Sequence, residues 1–559
     1  MKRQIRIAFM LSLFVLVLGV GQANVYAQET FMGLTAEELF PDENIANEHE
    51  RETAFQALLN ANLPDARDRF SGQTLTVATL GQGARGGISG PLYFWRNAFQ
   101  AVTGATLEIV EVPVGQLATV IPADFLTGKN TYDAIISFSF YYGDWISNGW
   151  IQPIDQWIGA EGYPSWDPND VAQPLQDLMT WGGHWYGTRN DGDAQLLYFR
   201  EDILSDPEWQ AAYEEEVGSP MPYPIRTWQD LLAITSFFNG KDWNKDGDPD
   251  DGISLHLKVG GQGMFHYMTL SAPFAVTPAD GDNPRAVTKY DNIYWFDPDD
   301  LTPLINQPGH VRALEFLKEL SNTGQVAQYG WDLGQAWDNF LTGNAIATFS
   351  WGDVGTLAQN PDRSTIQGLL GAAQIPCSSI WYDRETGEFV EDTENPNCVG
   401  NTTGGSWHPV MSAFTDTPDL TYYFMAFHAT DAINFWNVTS GWAGVDPSSL
   451  SHLFPPRGTA DVQKYVDAGY NEHDALQFIT AYGENLFAPP ITQTYIRIPG
   501  TPAFQNSLDI HLSEAMVGMR TPQEALDLVA QEWDATNNDL GRDQQLAIYQ
   551  QSIGYTPGG

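Results

Sequence analysis

An acidic loop between Asp242 and Asp251 has the residue types and spacing of a calcium site. Oxygen-bearing side chains occupy its first, third and fifth positions and glycine occupies the sixth, as in EF-hand loops. The twelfth position, where those loops carry a bidentate Glu, is Ile253, so another carboxylate would have to complete the site. The sequence predicts a structural Ca2+ here, the alternative being an exposed acidic turn. The predicted ligands are Asp242, Asn244, Asp246, Asp248 and Asp250.

Signatures of common enzymes are missing from the sequence. It has no H-E-x-x-H metal motif, no G-x-S-x-G nucleophile motif and no cluster of Cys and His. The glycine-rich stretch 81–91 lacks the spacing of a phosphate-binding loop. A pair of carboxylates could still cleave a glycosidic bond, because 70 acidic residues offer many pairs. A secreted carbohydrate-active hydrolase therefore remains an alternative, and a structural cell-surface protein remains another.

The charge balance limits the partners of the protein. The 559 residues include 70 Asp and Glu but only 26 Lys and Arg, which gives a formal net charge of −44. Nucleic acids and anionic membrane surfaces are bound through basic residues, so this chain is not expected to bind either. Hydrophobic residues make up 43% of the chain, which is enough for packed globular cores.

The first 27 residues have the pattern of a secretory signal peptide. Lys2, Arg3 and Arg6 precede an apolar run from 7 to 20, and small residues follow at Val25 and Ala27. The apolar run is shorter than the ~20 residues that a membrane-spanning helix needs. The mature protein is therefore predicted to be secreted, to the periplasm or the cell exterior.

The chain has only two cysteines, Cys377 and Cys398. The residues between them alternate around a turn at 385–387, as in a hairpin. Because secreted proteins reside in an oxidising compartment, the sequence predicts a disulfide that closes this hairpin.

Strand and helix signals alternate near the start of the mature chain. Apolar strands are predicted at 75–80, 107–112 and 132–137, with amphipathic helices between them. This alternation is typical of parallel α/β sheets. Residues 28–73 form a helix-prone extension ahead of the first strand. Beyond Glu201 helices predominate, and capping boxes begin two of them, at Thr227 and Thr521.

The order of these segments resembles the extracellular solute-binding proteins of ABC importers, in particular those that bind sugars and polyols. The resemblance is carried by LTVATL, TYDAIIS, YGTRNDGDAQLLYFRED, WDNFLTGNAIATFSWGDVG, GGSWHPVMS and GVDPSSLSHLFPPRG, in this order. It implies an α/β, two-lobed, type II periplasmic-binding-protein-like fold whose hinge is crossed by the chain. The implied first lobe is 74–187 with 373–445, the second is 188–372 with 446–559, and crossings are expected at Gly187–Leu196 and Leu370–Pro376.

The resemblance also implies a function and a site. A monomeric protein would capture a carbohydrate or polyol and deliver it to the permease subunits, without covalent chemistry. Sugars offer hydroxyls in the ring plane and C–H groups on the faces, so polar and aromatic side chains suit them. Each candidate could instead be a solvated turn or a core residue. The candidate ligand-binding residues are Gln82, Arg85, Ser139, Tyr141, Asp191, Asp193, Trp351, Asp353, Trp407 and Arg457.

Overall fold

A computed structural model of the chain describes residues 29–278, 293–401, 403–487, 491–492 and 496–557. The predicted signal peptide, residues 1–27, lies outside the described residues. Within the described ranges, no helix has both the length and the apolar character needed to cross a membrane.

The first lobe is built on a four-stranded sheet. The strands are β1 (Thr74–Leu80), β2 (Thr106–Val112), β3 (Ala134–Phe138) and β13 (Trp407–Met411). β1, β2 and β3 run parallel, which confirms the prediction from the alternating strand and helix signals, and β13 pairs antiparallel with β3. The order across the sheet is β13-β3-β1-β2. The helices of this lobe are α4 (Gly90–Thr103), α5 (Leu117–Leu126), α6 (Tyr142–Ser147), α7 (Gln173–Met179), α15 (Pro418–Ala429) and α16 (Asp431–Thr439).

A second four-stranded sheet forms the centre of the second lobe. Its strands are β6 (Leu196–Arg200), β7 (Asp251–Ile253), β8 (Ala345–Ser350) and β9 (Leu370–Ala373), in the order β7-β8-β6-β9. β6 is antiparallel to both of its neighbours, and every residue of β6 and β8 is buried. The helices are α8 (Glu201–Leu204), α9 (Pro207–Val217), α10 (Trp228–Phe238), α11 (Met264–Ala275), α12 (Pro308–Ser321), α13 (Leu333–Leu341), α14 (Asp353–Leu357), α17 (Val462–Asp467), α18 (Glu472–Phe487), α19 (Thr501–Met516), α20 (Pro522–Asp539) and α21 (Arg542–Ile553).

Local helix signals in the sequence are confirmed. Thr227 accepts the backbone N–H of Asp230, and the Asp230 carboxylate accepts the N–H of Thr227, which forms the capping box at the start of α10. Thr521 and Glu524 form the same arrangement at the start of α20. Each box satisfies backbone donors that the first helical turn leaves unpaired.

The N-terminal extension packs on the first lobe. It contains α1 (Ala36–Leu39), α2 (Glu48–Asn60) and α3 (Arg67–Phe70), and α2 contacts α16. Phe40 is fully buried and stacks on Phe94 of α4, with ring centroids 5.0 Å apart. The extension therefore shares the core of the first lobe.

The remaining strands are short. β4 (Thr180–Trp181) pairs with β5 (His184–Trp185), β10 (Ile380–Asp383) pairs with β11 (Glu388–Glu391), and β12 (Gly400–Asn401) pairs with β14 (Ile491–Thr492).

Of the two predicted crossings between the lobes, one agrees with the structure and the other does not. The first passage agrees with the prediction: Gly187 bridges to Val410 of β13, and Leu196 begins β6. The crossing predicted at Leu370–Pro376 is wrong. Residues 370–373 form β9 of the second sheet, and the backbone of Cys377 forms a β-bridge with Thr227, which also belongs to the second lobe. The β10–β11 hairpin packs on α11, so the return to the first sheet comes between β12 and β13. The local sequence, an apolar strand followed by proline, suggests a crossing. The pairing of this strand with β6 is a long-range contact that the local sequence does not show.

The predicted disulfide is present between Cys377 and Cys398, which are 21 residues apart. Because it closes a loop of this length, replacing both cysteines by serine should lower the free energy of unfolding by about 3 kcal/mol. Urea denaturation of the oxidised wild type and the double variant measures this difference. Reduction of the wild type should reproduce the loss, and equal midpoints for all three samples would contradict the prediction.

Candidate functional site

Three buried carboxylates meet where the chain passes between the lobes. Asp191 and Asp193 lie on the first passage, and Asp446 lies on the segment that leads from α16 towards α17. One ligand oxygen from each lies within 4.8 Å of the others. The three residues are 1%, 7% and 1% exposed, respectively. Among the described residues, no other three His, Cys, Asp or Glu side chains come this close. We call these residues the hinge carboxylates.

The Asp191 carboxylate binds backbone N–H groups of three different residues. Its Oδ1 accepts the N–H groups of Gly192 and Asp446, each at 2.8 Å, and its Oδ2 accepts the N–H of Trp407 at 3.0 Å. Burial raises the pKa of Asp191 to about 6, although these three N–H groups favour the charged form. Oδ1 accepts two backbone donors and Oδ2 only one, so Asp191 is held in a fixed position while Oδ2 keeps a free lone pair.

The other carboxylates repel one another. Burial, followed by the charges of Asp353 and Asp191, holds the pKa of Asp446 well above its usual range. Burial and the charge of Asp191 raise the pKa of Asp353 to about 7. Asp193 is affected in the same direction, by burial and then by Asp191 and Asp446. Full ionisation of this group at neutral pH therefore requires a compensating cation or a polar ligand.

Trp351 reaches the hinge carboxylates from the second lobe, directly after β8. Its indole Nε1 donates to the backbone oxygen of Thr403 at 2.7 Å, and its ring stacks on His256. Gly404 makes this approach possible, because a Cβ there would overlap Trp351 Nε1 and lie 2.8 Å from Asp193 Oδ2. Its φ of +112° also favours glycine. Trp351, Asp193 and the turn at Gly404 thus form one packed unit.

Side chains of the first lobe lie on the other side of this turn. Ser139 Oγ donates to the backbone oxygen of Gly405 at 2.6 Å. Trp407, at the start of β13, packs against Phe138 with ring centroids 3.7 Å apart. Tyr141 is buried and stacks on Trp145. The structure therefore brings six predicted residues to one region between the lobes, with Tyr141 at its edge: Ser139, Asp191, Asp193, Trp351, Asp353 and Trp407.

Three predicted ligand-binding residues are engaged elsewhere. Gln82 Oε1 accepts the N–H of Ile88, which closes its own loop. Arg85 forms an ion pair with Glu50 of the N-terminal extension and lies over the Trp442 ring. Arg457 is exposed at the surface. The structure does not bring these three side chains to the hinge carboxylates, because Gln82 bonds within its own loop, Arg85 pairs with the N-terminal extension, and Arg457 lies over the Phe487 ring at the surface.

The side chains of the acidic loop at 242–251 form hydrogen bonds within the loop. The side-chain amide of Asn244 donates to Asp250 Oδ1 at 2.7 Å and to Asp246 Oδ2 at 3.2 Å. Asp250 Oδ2 accepts the backbone N–H groups of Trp243 and Asn244, and Asp246 Oδ1 accepts the N–H of Asp248. No three carboxylates of this loop converge within the described residues. Calcium binding at this loop stays a prediction.

Sequence reasoning missed Asp446, Tyr482 and Gly404. Tyr482 donates to the backbone oxygen of Gly192, and Asp446 Oδ2 accepts the N–H of Gly352 at 2.8 Å. GVDPSS and GGSW were both available as segments of the family resemblance, but nothing local distinguishes Asp446 from the other acids. Tyr482 lies on α18, where its spacing is that of a core residue.

Comparisons with known proteins agree with this architecture. The sequence profile of the bacterial extracellular solute-binding proteins matches residues 95–463. A solute-binding protein of an ABC transporter from Agrobacterium radiobacter K84, solved with ribitol, is 20% identical with a TM-score of 0.60, and the match covers 84% of this chain and 99% of that one.

Two further solved structures are similar over nearly their whole length. A solute-binding protein from Agrobacterium vitis S4 with D-mannitol is 18% identical, with a TM-score of 0.59 and coverage of 84% and 99%. Maltose-bound MalE3 of T. maritima is 14% identical, with a TM-score of 0.58 and coverage of 83% and 99%. These similarities confirm the two-lobed periplasmic-binding-protein-like fold. With the profile matching more than half of its length, the chain belongs to the family of bacterial extracellular solute-binding proteins.

Proposed function

We propose that this protein captures a carbohydrate or polyol outside the cytoplasm and delivers it to the membrane subunits of an ABC importer. Its similarity to structures that hold ribitol, D-mannitol and maltose supports this ligand class. The observation that carries the proposal is the meeting of carboxylates and aromatic rings from both lobes at the passages between them. Carboxylates accept hydroxyl hydrogen bonds, and aromatic faces pack against sugar C–H groups.

The proposed mechanism is a population shift between open and closed lobes. Trp351 and Asp353 follow β8 of the second lobe, whereas Ser139 and Trp407 belong to the first. A ligand that contacts both sets can do so only when the lobes are closed, so its binding energy favours closure. The permease would then recognise the closed monomer. We propose binding without turnover, in a protein secreted to the periplasm or the cell exterior.

Trp351→Ala should weaken ligand binding at least tenfold, because it removes the buried ring beside Asp193. The measurement is tryptophan fluorescence and calorimetric titration with a panel of monosaccharides, oligosaccharides and polyols. The matched control is Trp209→Ala, since Trp209 packs on Phe238 within the second lobe, away from the passages. We expect saturable binding at one ligand per chain, unchanged by the control.

The same panel separates the alternative functions. Product analysis after long incubation would show cleaved glycan if the protein were a hydrolase, and saturation with intact ligand supports the proposal. A chain that binds nothing in the panel would contradict carbohydrate capture.

A further inference from the structure

We propose that the hinge carboxylates, Asp191, Asp193 and Asp446, bind a divalent cation with the oxygen-ligand chemistry of calcium. The site is distinct from the acidic loop at 242–251. It shares Asp193 with the proposed carbohydrate site, so the experiments below measure cation and carbohydrate binding separately. It would join the first passage between the lobes to the segment that leads from α16 to α17.

The spacing of the oxygens suits a single ion. One oxygen from each of the three side chains lies within 4.8 Å of the others. Ca2+ binds oxygens at about 2.3–2.6 Å, so two oxygens on opposite sides of one ion are up to roughly 5 Å apart. The three carboxylates are therefore close enough to share an ion without a change in backbone position.

Unpartnered oxygens provide a second observation. Asp446 Oδ2 accepts the N–H of Gly352, but Asp446 Oδ1 is completely buried and has no hydrogen-bond partner among the described residues. Ser406, whose backbone N–H binds the Asp193 carboxylate, has a buried Oγ that also lacks a partner in the described part of the chain. Leaving a buried carboxylate oxygen unpaired is costly, and coordination to a cation would satisfy it.

The hinge carboxylates also lack a basic partner. No Lys or Arg in the described ranges forms an ion pair with Asp191, Asp193 or Asp446. The nearest basic residue along the chain is Arg189, whose guanidinium is committed to Asp170 and Asp431. Three carboxylates without a basic partner repel one another, and a divalent ion would offset most of that repulsion.

Metal removal and return on the purified full chain test the proposal. After treatment with a chelator and dialysis, added Ca2+ should raise the melting temperature by ~3 °C or more at saturating concentration, because an ion that binds only the folded state stabilises it. Equilibrium dialysis with Ca2+ measures the number of bound ions per chain directly.

Two asparagine variants locate the ion. Asp246→Asn removes a carboxylate of the acidic loop and should keep both the melting shift and one bound ion. Asp446→Asn, the matched change at the hinge carboxylates, should lose the shift and that ion, and Asp193→Asn should do the same if Asp446→Asn fails to fold. The proposal is overturned if Asp246→Asn protein binds no Ca2+, or if Asp446→Asn or Asp193→Asn responds to Ca2+ as fully as the wild type.

Carbohydrate binding is measured separately, with the same panel in chelator and in Ca2+. If the wild type binds sugar but shows neither the melting shift nor a bound ion, only the cation site is overturned. An intact metal response without any sugar binding supports the cation site and contradicts only the proposed ligand class.

Discussion

Arg189→Met is expected to lower the free energy of unfolding by about 3–5 kcal/mol, because it removes one partner from a buried network of ion pairs and hydrogen bonds. The Arg189 side chain is 0% exposed. Its Nε donates to the backbone oxygen of Ala429 at 2.7 Å, and its Nη1 donates to Asp170 at 2.9 Å. Nη1 also reaches Ser449 Oγ at 2.8 Å, and Nη2 pairs with Asp431.

The four partners explain why one side chain matters so much. Asp170 lies before α7, Ala429 and Asp431 flank the junction of α15 and α16, and Ser449 lies on the segment that leads towards α17, so Arg189 joins three separate parts of the chain. Methionine fills most of the same volume but leaves the buried acceptors Ala429 O and Ser449 Oγ without their donor. The side chain of Asp170, only 20% exposed, would also lose its counter-charge.

Urea denaturation of Arg189→Met, Arg189→Lys and Asp431→Asn distinguishes this network from a simple surface ion pair. Lysine keeps the charge but lacks the planar set of donors, so an intermediate loss is expected. Asp431 is 72% exposed, and its replacement should cost no more than about 1 kcal/mol. A midpoint for Arg189→Met equal to that of Asp431→Asn would contradict the role assigned to Arg189.

Local patterns were sufficient for the elements of the fold. The first three strands and the capping boxes at Thr227 and Thr521 depend on residues close in sequence, and all agree with the structure. The disulfide could also be predicted, because the chain has only two cysteines and a secreted protein resides in an oxidising compartment. The misplaced crossing at 370–376 depended instead on which strand β9 joins, and that choice is a long-range pairing with β6.

The candidate site shows the same division. Asp191 and Asp193 stand out because a glycine separates them in a segment that resembles the family. Asp446 is 255 residues further along and is joined to Asp191 by its backbone N–H. No local feature distinguishes such an acid in a chain with 70 of them. Arg85 was assigned to the ligand site wrongly, because its partner, Glu50, belongs to the N-terminal extension and is distant in sequence.

Gly404→Ala is expected to weaken ligand binding at least 100-fold, which corresponds to about 2.7 kcal/mol, and to destabilise the closed arrangement of the site. Gly404 has a φ of +112°, where an L side chain is strained. Its new methyl group would overlap Trp351 Nε1 and lie 2.8 Å from Asp193 Oδ2. Both neighbours are buried, so relief requires Trp351 to leave the oxygen of Thr403 or the turn to move away from Asp193.

Gly469→Ala separates the backbone strain from the steric contact. Gly469 has a similar φ of +97°, but a Cβ there meets nothing within 4 Å. The control should therefore lose only the ~1–2 kcal/mol of an unfavourable backbone conformation and should bind ligand as the wild type does. Thermal melting and sugar titration of both variants measure the two effects. If Gly404→Ala matched Gly469→Ala in both measurements, the turn at Gly404 would not hold Trp351 and Asp193 in place, and the site would have to be formed without it. A larger loss of affinity than of stability is the expected pattern, because the overlap falls on Trp351 and Asp193, the two side chains that we propose contact the ligand.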